Sequence, residues 1–113
     1  MPLYSQPLTE EELRDSPVEV TSALSDTATR TSITAAITST TLLVLNTVRL
    51  GATIFNDSTA TLFIGLGSTV VSVTDFTVRL GKHQYFELPF GFTGEIRGIW
   101  SAVNGSARIT ELT

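Results

Sequence analysis

The sequence predicts an all-β fold: an antiparallel β-sandwich, jelly-roll-like or Greek-key, of about eight strands, behind an extended N-terminal arm containing one short helix. Three features lead there. The 113 residues include 19 Thr and 11 Ser but only 16% charged residues, so polarity is carried by hydroxyls, which suit strands better than helices. From about Thr31 onward, apolar residues recur at every second position. Short β runs then follow one another at roughly ten-residue spacing, separated by Asn, Asp, Gly and Ser turn signals.

The N-terminal stretch differs from everything after it. Residues 1–26 hold six acids (Glu10, Glu11, Glu12, Asp15, Glu19, Asp26) against Arg14, a net charge of −5. Residues 27–113 hold five acids and six bases, a net of +1, which together with the −5 makes the chain total of −4. Within the arm, Thr9 can cap a short helix over residues 9–15, with Glu12 completing a capping box and the early acids facing the positive end of the dipole. Ser16-Pro17 ends it, because the residue before proline is pushed out of the α region, and residues 17–21 should run extended. Residues 22–31 are small and polar apart from Leu24, so they read as a linker. The division is therefore a docking arm over residues 1–30 and a sandwich domain over 31–113. The arm cannot order itself, and its anchors Leu3, Tyr4, Leu8, Leu13, Val18 and Val20, with the charged Arg14, need a surface supplied by a partner.

In the domain, Ile33, Ala35 and Ile37 alternate with polar or small residues, and so do Phe76, Val78 and Leu80. Residues 42–45, 52–56, 61–66 and 84–88 supply further β runs. The last pair, 96–103 and 106–112, flanks Asn104-Gly105, the preferred two-residue hairpin turn, in a register that sets Trp100 opposite Ile109. A sandwich of about 83 residues without disulfides has a marginal core, so self-association is expected, and a ring, with a trimer favoured, would cover open strand edges.

Several chemistries are disfavoured. With no Cys and one His, thiolate metal sites, thiol nucleophiles and most triads are removed, and no cofactor or metal is expected. His83 reads as an exposed turn residue, and Asp57, Asp75, Glu87, Glu95 and Glu111 carry no catalytic spacing, so the chain reads as a non-enzyme. The glycine pairs Gly65/Gly67 and Gly91/Gly94 open no helix and read as turns, not phosphate loops. Scattered arginines and an acidic total argue against direct nucleic-acid contact. The longest aliphatic stretch, residues 42–45, is far short of the ~20 residues that span a bilayer, and the N-terminus lacks signal-peptide character. Asn56-Asp57-Ser58 and Asn104-Gly105-Ser106 fit the glycosylation pattern but read as turns. Tyr85, Phe86, Phe90, Phe92 and Trp100 cluster in the last third, as core or as a sugar-stacking surface. Pro89 and Gly91 bend the chain there, which makes Phe90 and Phe92 the candidates for a subunit interface.

Residues 41–113 carry several distinctive stretches: Arg49-Leu50-Gly51-Ala52-Thr53-Ile54-Phe55-Asn56-Asp57-Ser58 running on to Ile64, Phe76 to Leu80, Tyr85 to Gly94, and Gly98-Ile99-Trp100 to Leu112. They resemble a small β module found among tailed-bacteriophage structural proteins. The leader from Pro7 to Val20 is similar to a segment that recurs near the N-termini of phage virion proteins. The resemblance implies a virion protein made in the host bacterial cytoplasm. Its partners would be the major capsid protein or other virion proteins, and its work capsid decoration or cementing. The alternative it leaves open is a neck or tail adaptor, or a fibre-associated module with glycan-binding capacity.

Overall fold

A computed structural model describes residues 24–113; the expected helix over 9–15 and most of the arm lie outside the described residues. Eight strands are present: β1 (Ala28–Thr34), β2 (Thr40–Leu43), β3 (Gly51–Asp57), β4 (Leu62–Leu66), β5 (Val78–Leu80), β6 (Tyr85–Glu87), β7 (Ile96–Trp100) and β8 (Ser106–Leu112). The only helical element among the described residues is a 3₁₀ turn at Pro89–Gly91. Residues 28–30, which composition groups with the arm, already belong to β1.

The strands form two four-stranded antiparallel sheets, a front sheet in the order β1-β8-β3-β6 and a back sheet in the order β2-β7-β4-β5. Alternation explains how they pack. Along β3, Ala52, Ile54 and Asn56 point inward and are buried, while Gly51, Thr53, Phe55 and Asp57 are only half-buried. Along β7, Ile96, Gly98 and Trp100 point inward, and Gly98 lets Leu42 and Leu62 close over the backbone. Ile54, Ala107 and Ile109 of the front sheet meet Leu42, Leu62, Ile64, Leu80, Ile96 and Trp100 of the back sheet in a single core. In β2 a register shift between Thr41 and Leu43 turns both Leu42 and Leu43 inward, leaving Val44 and Leu45 outside.

Three sequence expectations change. The Asn104-Gly105 turn does not close a hairpin: β7 belongs to the back sheet and β8 to the front, so Trp100 pairs with Leu62, and Ile109 with Thr31 and Ile54. Gly105 does take the left-handed conformation, φ 71°, but a Cβ there would strike the Asp57 carbonyl, so the turn is wedged against the β3–β4 connection. Strand β1 ends at Thr34, and Ile37 is exposed where the chain crosses to the back sheet. Gly65 is not a turn residue; it lies in β4, where its missing side chain lets Val71 pack directly on the strand.

Each end of the sandwich is tied by one buried polar side chain. At one end, Asn56 shares its two Nδ2 hydrogens among the carbonyls of Ala60, Leu80 and Gly81 and accepts from Ser58 Oγ at 2.7 Å. Asn56 is fully buried, which leaves it closed to glycosylation. At the other end Arg49, its side chain 0% exposed, donates from Nε to Glu111 at 2.7 Å and from Nη1 to the carbonyls of Phe92 and Gly94. Its Nη2 donates to the Val44 carbonyl. Arg49 thereby joins the β2–β3 loop, the β6–β7 segment and β8.

Replacing either residue with an apolar one strands several acceptors. Arg49→Met leaves the Glu111 carboxylate half-buried and unpaired, and a loss of about 3–5 kcal/mol is expected. Asn56→Leu should cost about 1–3 kcal/mol for each buried carbonyl that finds no water. Urea titrations followed by Trp100 fluorescence measure both; midpoints within error of wild type would show that neither end depends on its hub.

Candidate functional site

Most of the residues nominated by sequence lie outside the described part of the structure. Leu3, Tyr4, Leu8, Leu13, Arg14, Val18 and Val20 lie outside the described residues, as does the Phe90 side chain. Phe92 packs against the core, its ring lying over Gly94. Of the aromatic cluster, Trp100 is 1% exposed and Phe86 is partly buried against the core. Among the described members Tyr85 alone is well exposed, at 61%.

The carboxylates are separated. Glu111 serves Arg49, Asp57 pairs with Arg108 at 2.9 Å, and Glu95 pairs with Arg97 at 2.8 Å. Among the described residues, no three His, Asp or Glu side chains gather as a metal would require. No helix of the described residues is long and apolar enough to cross a membrane.

Two surfaces stand out instead. The first is the end where the arm departs. Thr113 N–H donates to the Thr27 carbonyl, and Ser25 Oγ donates to the Thr113 carbonyl, so the chain enters β1 beside its own C-terminus. Leu50 N–H donates to the Leu112 carbonyl, which places the β2–β3 loop at the same end. That loop exposes Val44, Leu45, Val48 and, to a smaller degree, Leu50, and it is held by Arg49 from within and by Asn46 N–H on the Thr93 carbonyl. These apolar side chains are thus held in place on a loop whose ordering cost is already met by the fold.

The second surface is the outer face of the front sheet. Backbone register sets Ser32, Arg108, Phe55 and Tyr85 in one row across all four strands. Arg108 donates from Nη1 to Ser32 Oγ at 2.7 Å and from Nε to Asp57. His83, in the β5–β6 turn, holds its ring nearly parallel to that of Phe55, with centroids 6.0 Å apart. An open groove of about 340 Å³ runs beside this row, lined by Arg30, Ser32, Arg108 and Thr110. Phe55 and His83 were not singled out for a shared role by sequence, because 28 positions separate them and only the β3–β6 pairing unites them.

On the back sheet, Arg97 donates to Ser39 Oγ, Thr41 Oγ1 and Glu95, while Thr41 Oγ1 donates to Glu95 at 2.7 Å. The Thr41 hydroxyl, and after it Arg97, hold the Glu95 carboxyl below its ordinary value against the opposing effect of burial. This cluster fastens the start of β2 to β7.

Comparison with family models, with curated proteins and with solved structures finds no match to this chain.

Because the folded protein holds Glu95 ionised more strongly than the unfolded chain does, its contribution is complete above the unfolded value and is lost as pH falls through the folded one. Urea midpoints measured from neutral to acid pH should fall less steeply for Glu95→Gln than for wild type. Parallel profiles would remove Glu95 from the acid response.

Proposed function

We propose that the chain is a non-enzymatic virion structural protein of a tailed bacteriophage, a capsid decoration or cement protein that grips neighbouring shell subunits through its N-terminal arm. The supporting observation is the strand order. Two sheets ordered β1-β8-β3-β6 and β2-β7-β4-β5, with the chain crossing between them at most connections, have the topology of the double Greek-key jelly roll. That architecture recurs in viral coat and lectin domains, and the support is one of architectural analogy, joined to the sequence resemblance. The departure of the arm beside the exposed β2–β3 loop adds to it, since arm and apolar loop can then engage one partner together.

The mechanism under this reading is avidity. Each arm buries a modest apolar area, but copies joined in a ring, with a trimer favoured, raise the effective concentration of every arm once the first is seated. The acidic arm would meet Arg or Lys on the shell, so binding would weaken with salt where those contacts are exposed. The second reading, a neck or tail accessory protein, draws on the aromatic face of the front sheet, which has no part in arm docking.

Removing residues 1–26 should abolish binding to purified shells while the sandwich stays folded by circular dichroism; unchanged occupancy would overturn the arm's role. Quantitative mass spectrometry of whole particles separates the two readings. Copies on the scale of the shell subunits indicate decoration, and copies on the scale of a single ring indicate neck or tail.

A further inference from the structure

The geometry points to a saccharide-binding site on the outer face of the front sheet, taking a carboxylate-bearing pyranoside. The site is independent of the arm and of whether copies sit on the head or the tail.

A pyranose ring offers an apolar C–H face and a rim of hydroxyls, so its receptor needs an exposed aromatic shelf beside fixed polar groups. Tyr85 and Phe55 are direct cross-strand neighbours on the outer face, and the His83 ring lies nearly parallel to Phe55. His83 is the only non-glycine residue with positive φ among the described residues, at 60°, and its N–H is held by the Asn56 carbonyl. Left-handed backbone at a non-glycine residue costs of order 1–3 kcal/mol and persists only where the surroundings over-determine it. Here the β5–β6 turn uses it to keep the imidazole beside the shelf.

The polar rim is equally fixed. Arg108 is oriented by Asp57 on one side and Ser32 on the other, an arrangement that leaves its second terminal nitrogen without a hydrogen-bond partner among the described residues. Arg30, one strand over and on the same outer face, has no carboxylate within ion-pair distance among the described residues. The two guanidinium groups flank the groove of about 340 Å³, with Ser32 and Thr110 between them. That volume is at the lower end for small-ligand sites and accommodates one or two sugar rings. A carboxylate suits it because a guanidinium recognises that group through paired N–H donors, and two unmatched donors face the same opening. A nucleic acid would also stack on the shelf, but a run of phosphates calls for a basic stripe, whereas this face offers Arg30 and an Arg108 already paired with Asp57.

The test is a titration of the full-length, isotope-labelled protein with methyl glucuronide, followed by amide chemical shifts, with methyl glucoside and acetate as controls. Shifts should concentrate on β1, β8, β3 and the β5–β6 turn, and methyl glucoside should bind more weakly. Arg108→Gln and Tyr85→Ala, each retaining a folded spectrum, should weaken binding about tenfold or more for the arginine and measurably for the tyrosine. No shifts on this face would overturn the site. Acetate binding as tightly as the uronide, or full affinity in Tyr85→Ala, would reduce it to a simple anion site and overturn the saccharide assignment. Concentration-dependent shifts of the same residues without ligand would make the face an interface between copies, again overturning it.

Discussion

Arg49 is withdrawn from water with its charge intact, and that requirement organises the end of the molecule from which the arm departs. A buried guanidinium left without partners would cost several kcal/mol, so the surrounding chain must deliver an anion and several acceptors to a fixed point. Glu111 comes from β8 in the front sheet, and the carbonyls of Phe92, Gly94 and Val44 come from the two loops that cross between the sheets. Two consequences follow. The last strand is tied to both crossing loops, and the β2–β3 loop is pinned to the sandwich through the Val44 carbonyl while its apolar side chains stay outside. Val44, Leu45 and Val48 are exposed on the loop that the buried Arg49 anchors from within.

The opposite end meets the same need without charge. Asn56 serves the carbonyls of Ala60 after β3, of Leu80 at the end of β5 and of Gly81 just beyond it, and it does so from the core-facing side of β3. Such hubs are needed because of the path the chain takes. Of the seven connections, only β4 to β5 stays within one sheet; every other one crosses the gap between sheets. Crossing turns forgo the ladder of a tight hairpin, so their backbone groups must be met by side chains. Where the chain does remain in one sheet, the connection over 67–77 is long, and it folds back so that Val71 lies on Gly65 and Phe76 stacks edge-on against Phe63.

This path also explains what the residue pattern could and could not disclose. The β runs at 52–56 and 96–103 are legible from their composition and the turn signals around them, and Gly51–Asp57 and Ile96–Trp100 are strands. Alternation says which side of a strand faces inward but not which strand lies beside it. Asn104-Gly105 carries the correct conformational demand, a left-handed glycine, yet joins different sheets, since the turn's local preference is indifferent to what its flanks pair with. Ile37 continues an apolar alternation after its strand has ended, because a crossing segment is under no period-two constraint. The hubs were nearly silent. Arg49 reads as one more isolated cation, and its only signal is an arginine flanked directly by Val48 and Leu50. The front-sheet row was hidden altogether, because Ser32, Arg108, Phe55 and Tyr85 meet only through pairings of β1, β8, β3 and β6.

The two candidate surfaces are linked by a single element. Strand β1 begins at Ala28, at the end from which the arm departs, and two residues later carries Arg30 onto the outer face, followed by Ser32, which receives Arg108. At about 3.3 Å per residue, the start of the strand and the Ser32 row are about 13 Å apart. A chain anchored through its arm would therefore hold the Arg108 row at a short, rigid distance from the anchor. The outer face would remain free, because β1 pairs through its backbone with β8 and directs Arg30 and Ser32 away from the core. Among the described residues β1 is also the longest of the four edge strands, and it carries one charged residue. Attachment along that edge would extend the front sheet without covering the Arg108 row, so assembly and recognition can occupy one strand without competing for the same atoms.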